Sequence, residues 1–172
     1  MKQVQSEIEI DAPPSLVWQV LTDFAAFPEW NPFVKHMEGE LVVGGHLTIV
    51  LKPGPFAERT VRTQVLCVDP GQSLIWRHPP HIPWLFDVMH GFTLEALPGE
   101  RTRFVQRAVF RGLFGSLLAR KASHERCGLE EMNRALKVAA EWAARPGPGC
   151  MPRYVSAMCP SLARAKATGA SD

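Results

Sequence analysis

The sequence is poor in the features that mark several protein classes. It contains one tyrosine and four cysteines in 172 residues, and the cysteines form no C-x-x-C pair. No histidine lies at zinc-finger spacing from a cysteine, and the spacings suggest no disulfide framework, so we expect reduced thiols in a cytoplasmic protein. We expect no signal peptide, since the first residues lack an apolar core. No stretch approaches the roughly 20 apolar residues of a membrane span.

An excess of charge of one sign is also absent. Nineteen basic and seventeen acidic residues give a net charge of +2, which is too small for the concentrated basic surface that binds nucleic acid. Hydrophobic residues make up 46% and charged residues 21%, as in ordinary globular proteins. We therefore expect a globular protein that binds no nucleic acid and has no membrane span.

The composition changes near Arg145. Residues 145–172 are rich in proline, glycine and small side chains, and they carry several basic residues but a single acid, Asp172. A segment of this kind forms no core. We predict a folded ligand-binding domain over residues 1–144 and a flexible basic tail over 145–172.

Hydrophobic periodicity predicts the order of elements in the folded domain. Alternation over residues 4–10 indicates a strand, and Pro14 or Ser15 opens a helix that Pro28 ends. Residues 28–32 are read as a compact turn or a second short helix. Apolar residues at helical spacing over 114–144 predict one long final helix. Between the helices we predict strands at 34–43, 46–51, 59–68, 73–78, 86–96 and 102–110.

This order predicts an α+β protein with a seven-stranded antiparallel sheet. Such a sheet has one face to bury, and a single helix covers that face only if the sheet curves around it. We expect this grip to leave a gap between sheet and helix. Side chains of alternate strand residues then line the gap.

Several motifs carry a resemblance to a known family over residues 4 to about 143. They are I-D-A-P at 10–13, F-P-E-W-N-P-F at 27–33, V-D-P at 68–70, H-G-F-T-L-E at 90–95, T-R-F-V-Q at 102–106 and F-R-G-L at 110–113. In this order they resemble the START-like superfamily, also called SRPBCC, which contains polyketide cyclases, dehydrases and lipid-transport proteins. The resemblance implies the Bet v 1-like helix-grip fold, with two short helices after the first strand and a curved sheet around a long C-terminal helix. This fold hosts carriers, cyclases, hydratases and chaperone co-activators.

Strand parity predicts which side chains line the gap. The wall is apolar with two imidazoles, a hydroxyl and an amide, the usual make-up of a small-molecule site. The alternative is that these side chains simply fill the core. The residues predicted to point inward are Val61, Thr63, Val65, Cys67, Leu74, Trp76, His78, His90, Phe92, Leu94, Phe104, Gln106, Ala108 and Phe110.

Two further groups of bulky residues lie where an entrance would be. Trp30 and Phe33 follow the first helix, a region that borders the cavity entrance in START-like proteins; the alternative is a wedge that fixes the helices. Trp84 and Phe86 lie in a proline-rich loop that is read as a lid or as packing against the helix end. The candidate ligand-binding residues are therefore Trp30, Phe33, Val61, Thr63, Trp76, Trp84, Phe86, His90, Phe92, Phe104 and Gln106.

His90 is the candidate catalytic residue. A neutral imidazole that points inward can donate to a carbonyl or act as a general base, with His78 or Asp87 assisting. The alternative is a core histidine that is hydrogen-bonded to Gln106 or to the backbone. The histidines show no metal-ligand spacing, so we expect neither a metal nor another cofactor.

Three functions follow from these observations. The leading one is binding of a hydrophobic or aromatic, lipid- or polyketide-like molecule in the cavity. The second is a metal-free enzyme of the cyclase, aromatase or dehydratase kind, a lyase or isomerase that acts through His90. The third is an interaction module, such as a chaperone co-activator, that uses the basic tail. The oligomeric state stays open.

Overall fold

The computed structural model describes residues 2–52, 57–78, 87–111 and 122–146. Within these ranges the chain forms seven strands and three α-helices, and one turn of 3-10 helix, Phe24–Ala26, precedes the second α-helix. The elements are β1 (Lys2–Ile10), α1 (Pro14–Thr22), α2 (Phe27–Trp30), β2 (Val34–Gly39), β3 (His46–Leu51), β4 (Arg59–Asp69), β5 (Ser73–His78), β6 (Asp87–Leu97), β7 (Arg101–Arg111) and α3 (Ala122–Ala143).

The strands form one antiparallel sheet in the order β1-β7-β6-β5-β4-β3-β2. Six of them follow one another as a meander, and β1 adds to the far side of β7. The predicted α+β order and the predicted seven-stranded antiparallel sheet are confirmed. Four predicted strands differ from the observed ones by one or two residues at an end.

The second strand ends earlier than its hydrophobic pattern suggests. Gly39 has φ +129°, and a Cβ at this position would lie 2.1 Å from the carbonyl oxygen of His46. Only glycine therefore fits at the end of β2, and the chain leaves the sheet here. The connection between β2 and β3 is hydrogen-bonded to β4. Gly44 N–H donates to Val65 O, and Val65 N–H donates to Gly45 O.

The final helix packs along β1 and against α1. Its described length of 22 residues corresponds to about 33 Å. Residues 114–121 of the predicted helix lie outside the described part of the chain, as do residues 147–172 of the predicted tail. The face of α3 turned to the sheet is fully or nearly buried and consists of Leu129, Met132, Asn133, Leu136, Ala139 and Ala140.

Polar contacts fix the last turns of α3 to the connection after β1. Lys137 Nζ donates to Glu9 O at 2.7 Å and also contacts the Glu141 carboxylate. The same Glu141 carboxylate accepts the backbone N–H of Asp11 at 2.9 Å. The helix is therefore held in register with β1, which sets the spacing between helix and sheet.

The parity prediction is wrong for Cys67. The register of β4 shifts between Val65 and Cys67, so an extra residue enters this strand. Beyond this bulge the faces exchange: Val68 packs against the core, while Cys67 pairs with Ile75 on the outer face. A strict period of two does not reveal such a bulge.

The thiol prediction is also wrong at one position. Cys127, at the start of α3, is disulfide-bonded, whereas Cys67 is a free thiol.

Among the described helices none is long and apolar enough to cross a membrane.

Candidate functional site

The inward side chains of the central strands align in rows across the sheet. One row is Val65, Trp76, His90 and Ala108, and the next is Val68, Leu74, Phe92 and Gln106. Apart from Cys67, the residues predicted to point inward do so, and most of them are buried.

Three aromatic rings form a continuous surface at the centre of this face. The centroids of Trp76 and Phe92 are 4.8 Å apart, and those of Phe92 and Phe104 are 5.9 Å apart in a stacked arrangement. We call these three residues the aromatic floor. An apolar aromatic surface of this kind suits a ring or an acyl chain.

Two imidazoles border the aromatic floor. The rings of His78 and His90 lie edge to face with centroids 5.5 Å apart, and we call them the imidazole pair. Burial lowers the pKa of His90 to about 3, with the neighbouring His78 as a smaller cause. Burial also lowers the pKa of His78, against a smaller opposite effect of a hydrogen bond to the backbone of Arg62. Both rings are therefore neutral at pH 7.

His90 combines two properties that rarely occur together. Its side chain keeps part of its accessible surface and is only half-buried, yet its surroundings remove enough water to lower its pKa to about 3. His90 is therefore a desolvated side chain that keeps some accessible surface.

Asp87 does not join the imidazole pair. It lies one residue before Val88, the register partner of His78, so its side chain points to the outer face of the sheet. There Arg77 Nε donates to Asp87 Oδ1 at 2.9 Å. Its charge still raises the pKa of His78, as the smallest of four causes.

Three polar atoms of this face have no hydrogen-bond partner among the described residues. They are Thr63 Oγ1, His78 Nδ1 and Gln106 Oε1. Thr63 is fully buried and Gln106 is 2% exposed. A buried polar atom without a partner costs about 1–3 kcal/mol. Thr63 and Gln106 therefore keep unused hydrogen-bonding capacity inside an apolar face.

The final helix contributes two polar side chains that sequence reasoning missed. Met132 Sδ accepts a hydrogen bond from Gln106 Nε2 at 3.3 Å, and Asn133 Nδ2 donates to Ser6 Oγ at 3.1 Å. The helical spacing of Leu129 and Leu136 places both residues on the buried face. That spacing is the signal that could have found them.

The residues after α1 pack against the same core as the aromatic floor and also order the loop that leads into β2. Trp30 is 2% exposed and packs on Phe27 at a centroid distance of 4.8 Å. Asn31 Oδ1 accepts the backbone N–H groups of Phe33 and Val34 at 2.9 and 3.0 Å. The half-buried ring of Phe33 comes within 3.9 Å of a Cβ placed on Gly128, so this ring touches α3.

The structure describes only some of the remaining candidate residues. Val61 is half-buried and packs against the core. Trp84 and Phe86, the candidate lid residues, lie outside the described part of the chain. No group of three or more His, Cys, Asp or Glu side chains in the described ranges is arranged to hold a metal ion.

Comparisons with known proteins place these features in context. The sequence model of the family described as polyketide cyclase / dehydrase and lipid transport matches residues 1–146. A search of curated proteins found no match.

Solved structures share the fold at low sequence identity. The di-domain ARO/CYC BexL from the BE-7585A biosynthetic pathway has a TM-score of 0.69 at 14% identity, over 85% of this chain and 48% of that one. The Zhui aromatase/cyclase from Streptomyces sp. R1128 has a TM-score of 0.62 at 21% identity, over 87% and 99%. Ara h 8.0201 has a TM-score of 0.64 at 13% identity, over 81% and 97%. These likenesses confirm the predicted helix-grip fold, and this chain spans about half the length of BexL.

Proposed function

Since this chain belongs to the polyketide cyclase / dehydrase and lipid transport family, we propose that it binds a hydrophobic or aromatic small molecule between the sheet and α3. The ligand is lipid- or polyketide-like and lies against the aromatic floor. Membership of the family agrees with the START-like resemblance of the sequence. Family membership does not identify the ligand, so the ligand class is inferred from the side chains of the site.

The observation that carries the proposal is the set of unpartnered polar atoms on an apolar face. Thr63 Oγ1, His78 Nδ1 and Gln106 Oε1 each lack a partner among the described residues. In a core that served packing alone, polar atoms would be paired or replaced by apolar groups. A ligand with polar groups at matching positions removes this cost, and apolar burial adds about 25 cal/mol per Å².

A thermal-shift screen with native mass spectrometry tests the binding function. Fatty acids, sterols and polyphenols are added to the purified protein, and a ligand that binds the folded state raises the melting temperature. Ala108→Leu adds bulk on the inward face beside His90, its register partner, and should weaken binding. Gly91→Ala is the control, because its added Cβ meets only Ile75 Cγ1 at 3.7 Å.

Two results would count against binding. One is a panel in which no compound shifts the melting temperature and nothing co-purifies. The other is an equal loss of binding in Ala108→Leu and in the control Gly91→Ala, which would indicate general destabilisation.

We propose catalysis as the second candidate, on the strength of the imidazole pair. A pKa of about 3 makes His90 a weak base at pH 7, because general bases work best with a pKa near the operating pH. A neutral imidazole is suited instead to donate a hydrogen bond to a carbonyl as it becomes an enolate. This favours an assisting role of His90 in an aldol or dehydration step of a polyketide-like substrate.

A comparison of turnover with binding separates the two candidates. His90→Phe, which has no hydrogen-bond donor, should strongly reduce cyclisation or dehydration of a poly-β-ketone while the variant still binds its ligand. His36→Phe, at an exposed position of β2, is the matched control. Full turnover in His90→Phe would exclude this mechanism and leave the binding function standing.

A further inference from the structure

We infer that Met132 is a positioning residue that fixes which end of the Gln106 amide faces the ligand, so that the ligand must offer a hydrogen-bond donor there. This inference rests on the proposed binding function and narrows its ligand class. The preferred ligand carries a hydroxyl group on its ring system. A plain hydrocarbon chain, an ether or a ketone at this point is bound less well.

The thioether decides the orientation of the amide. A methionine sulfur has lone pairs but no hydrogen to donate. Gln106 Nε2 lies 3.3 Å from Met132 Sδ, and the reversed amide would place its oxygen against the sulfur, lone pair to lone pair. The nitrogen therefore faces the helix, and Oε1 is the end that a ligand meets.

The acceptor left by this arrangement is buried and has no other partner. Gln106 is 2% exposed, and Oε1 has no hydrogen-bond partner among the described residues. Its register partners are Ser6 on β1 and Phe92 on β6. The Ser6 hydroxyl accepts from Asn133 Nδ2 and lies outside hydrogen-bond distance of Oε1, and Phe92 offers only its ring.

A second acceptor lies on the same face. His78 Nδ1 is buried without a partner in the described chain, while a hydrogen bond links this ring to the backbone of Arg62. Because Nδ1 makes no hydrogen bond, the N–H that donates to the carbonyl is Nε2–H. Nδ1 of the neutral ring is therefore an acceptor. A ligand hydroxyl at either position would satisfy that atom, whereas a plain acyl chain would leave both unpaired.

Three small probes that share a naphthalene ring test the inference. They are 1-naphthol, which donates a hydrogen bond, 1-methoxynaphthalene, which cannot donate, and 1-acetonaphthone, which only accepts. Dissociation constants are measured by calorimetry or by fluorescence for the full chain and for Met132→Leu. Met37→Leu is the matched control, since Met37 is another buried methionine on β2, the strand farthest from β1 in the sheet order.

We expect the wild-type protein to bind 1-naphthol on the order of fivefold more tightly than its methyl ether, as one net hydrogen bond provides. In Met132→Leu the amide can turn. The naphthol-to-ether ratio then falls toward one, and 1-acetonaphthone gains affinity. Met37→Leu should keep the wild-type ratio. A ratio is diagnostic because a merely structural role of Met132 would weaken all three probes alike.

The outcomes distinguish a failure of this inference from a failure of the proposed binding function. Equal wild-type affinity for naphthol and its ether overturns the inference alone and leaves binding intact. If the naphthol-to-ether ratio is the same in Met132→Leu as in the wild type, the inference is again overturned and the binding function is not. Binding of none of the three probes overturns the proposed binding of aromatic molecules and, with it, the inference. If Met132→Leu does not fold, equal wild-type affinities for 1-naphthol and its ether still overturn the inference.

Discussion

The imidazole of His78 meets that of His90 edge to face, with 5.5 Å between the ring centroids. The two rings come from neighbouring strands and share the inward face of the sheet. A positive charge on either ring would lower the proton affinity of the other. The contact therefore favours two neutral rings, which offer both hydrogen-bond donors and acceptors to a ligand.

The stability of the fold should depend on pH through His90. Burial lowers its pKa to about 3, while an unfolded chain keeps it near 6.5. Between these values the unfolded state binds more protons, so the free energy of unfolding decreases as the pH falls from about 6.5 to about 3. At about pH 5 this decrease amounts to on the order of 2 kcal/mol in the wild type. His90→Gln should abolish it, because the variant has no imidazole at this position.

Urea unfolding between about pH 4 and about pH 7 measures this effect as a difference between wild type and variant. His36→Gln is the control, because His36 is exposed. Parallel pH profiles for wild type and His90→Gln would contradict the assignment.

Removal of the Thr63 hydroxyl should not destabilise the ligand-free protein. Thr63 is fully buried and its Oγ1 has no partner in the described chain, so valine of similar shape removes an unsatisfied group. We expect the free energy of unfolding to stay the same or to rise by up to about 1 kcal/mol. Thr93→Val on the outer face of β6 is the comparison, and a clear loss of stability in Thr63→Val alone would reveal a hidden partner.

The helix face that covers the sheet should dominate the stability of the fold. Leu136 is fully buried, whereas Val138, two residues later on α3, is 42% exposed. Leu136→Ala should cost about 2–5 kcal/mol because it leaves a cavity between helix and sheet. Val138→Ala should change stability by less than about 0.5 kcal/mol. Chemical unfolding of both variants checks this, and similar losses would mean that α3 does not pack as described.

The contacts of Lys137 should stabilise the end of α3 by a modest amount. Its Nζ bonds Glu9 O at 2.7 Å and contacts the Glu141 carboxylate, but its side chain is 31% exposed. Solvent screening reduces the value of such a pair, so Lys137→Met should cost about 1 kcal/mol. Thermal melts compare this variant with Lys35→Met on β2, which is exposed. A loss of the same size in both variants would show that the contacts add nothing.

Much of the fold follows from local chemistry that can be read along the chain. The strands β3 and β5 were predicted with both ends correct, because alternation of side chains and adjacent turn residues are local signals. The end of β2 was missed because Gly39 is required by the carbonyl of His46, a residue of the next strand. The prediction of inward and outward faces is correct except for Cys67, which follows the bulge in β4.

The sequence by itself determined the order of the elements, the apolar face of the sheet and the inward direction of His90 and Gln106, since periodicity is a property of neighbouring residues. Only the tertiary structure decided that Asp87 binds Arg77 on the outer face and that Gln106 Nε2 donates to Met132 Sδ. Those outcomes depend on strand register and on the placement of α3. Register and helix placement arise from contacts between residues far apart in the chain, which local patterns do not encode.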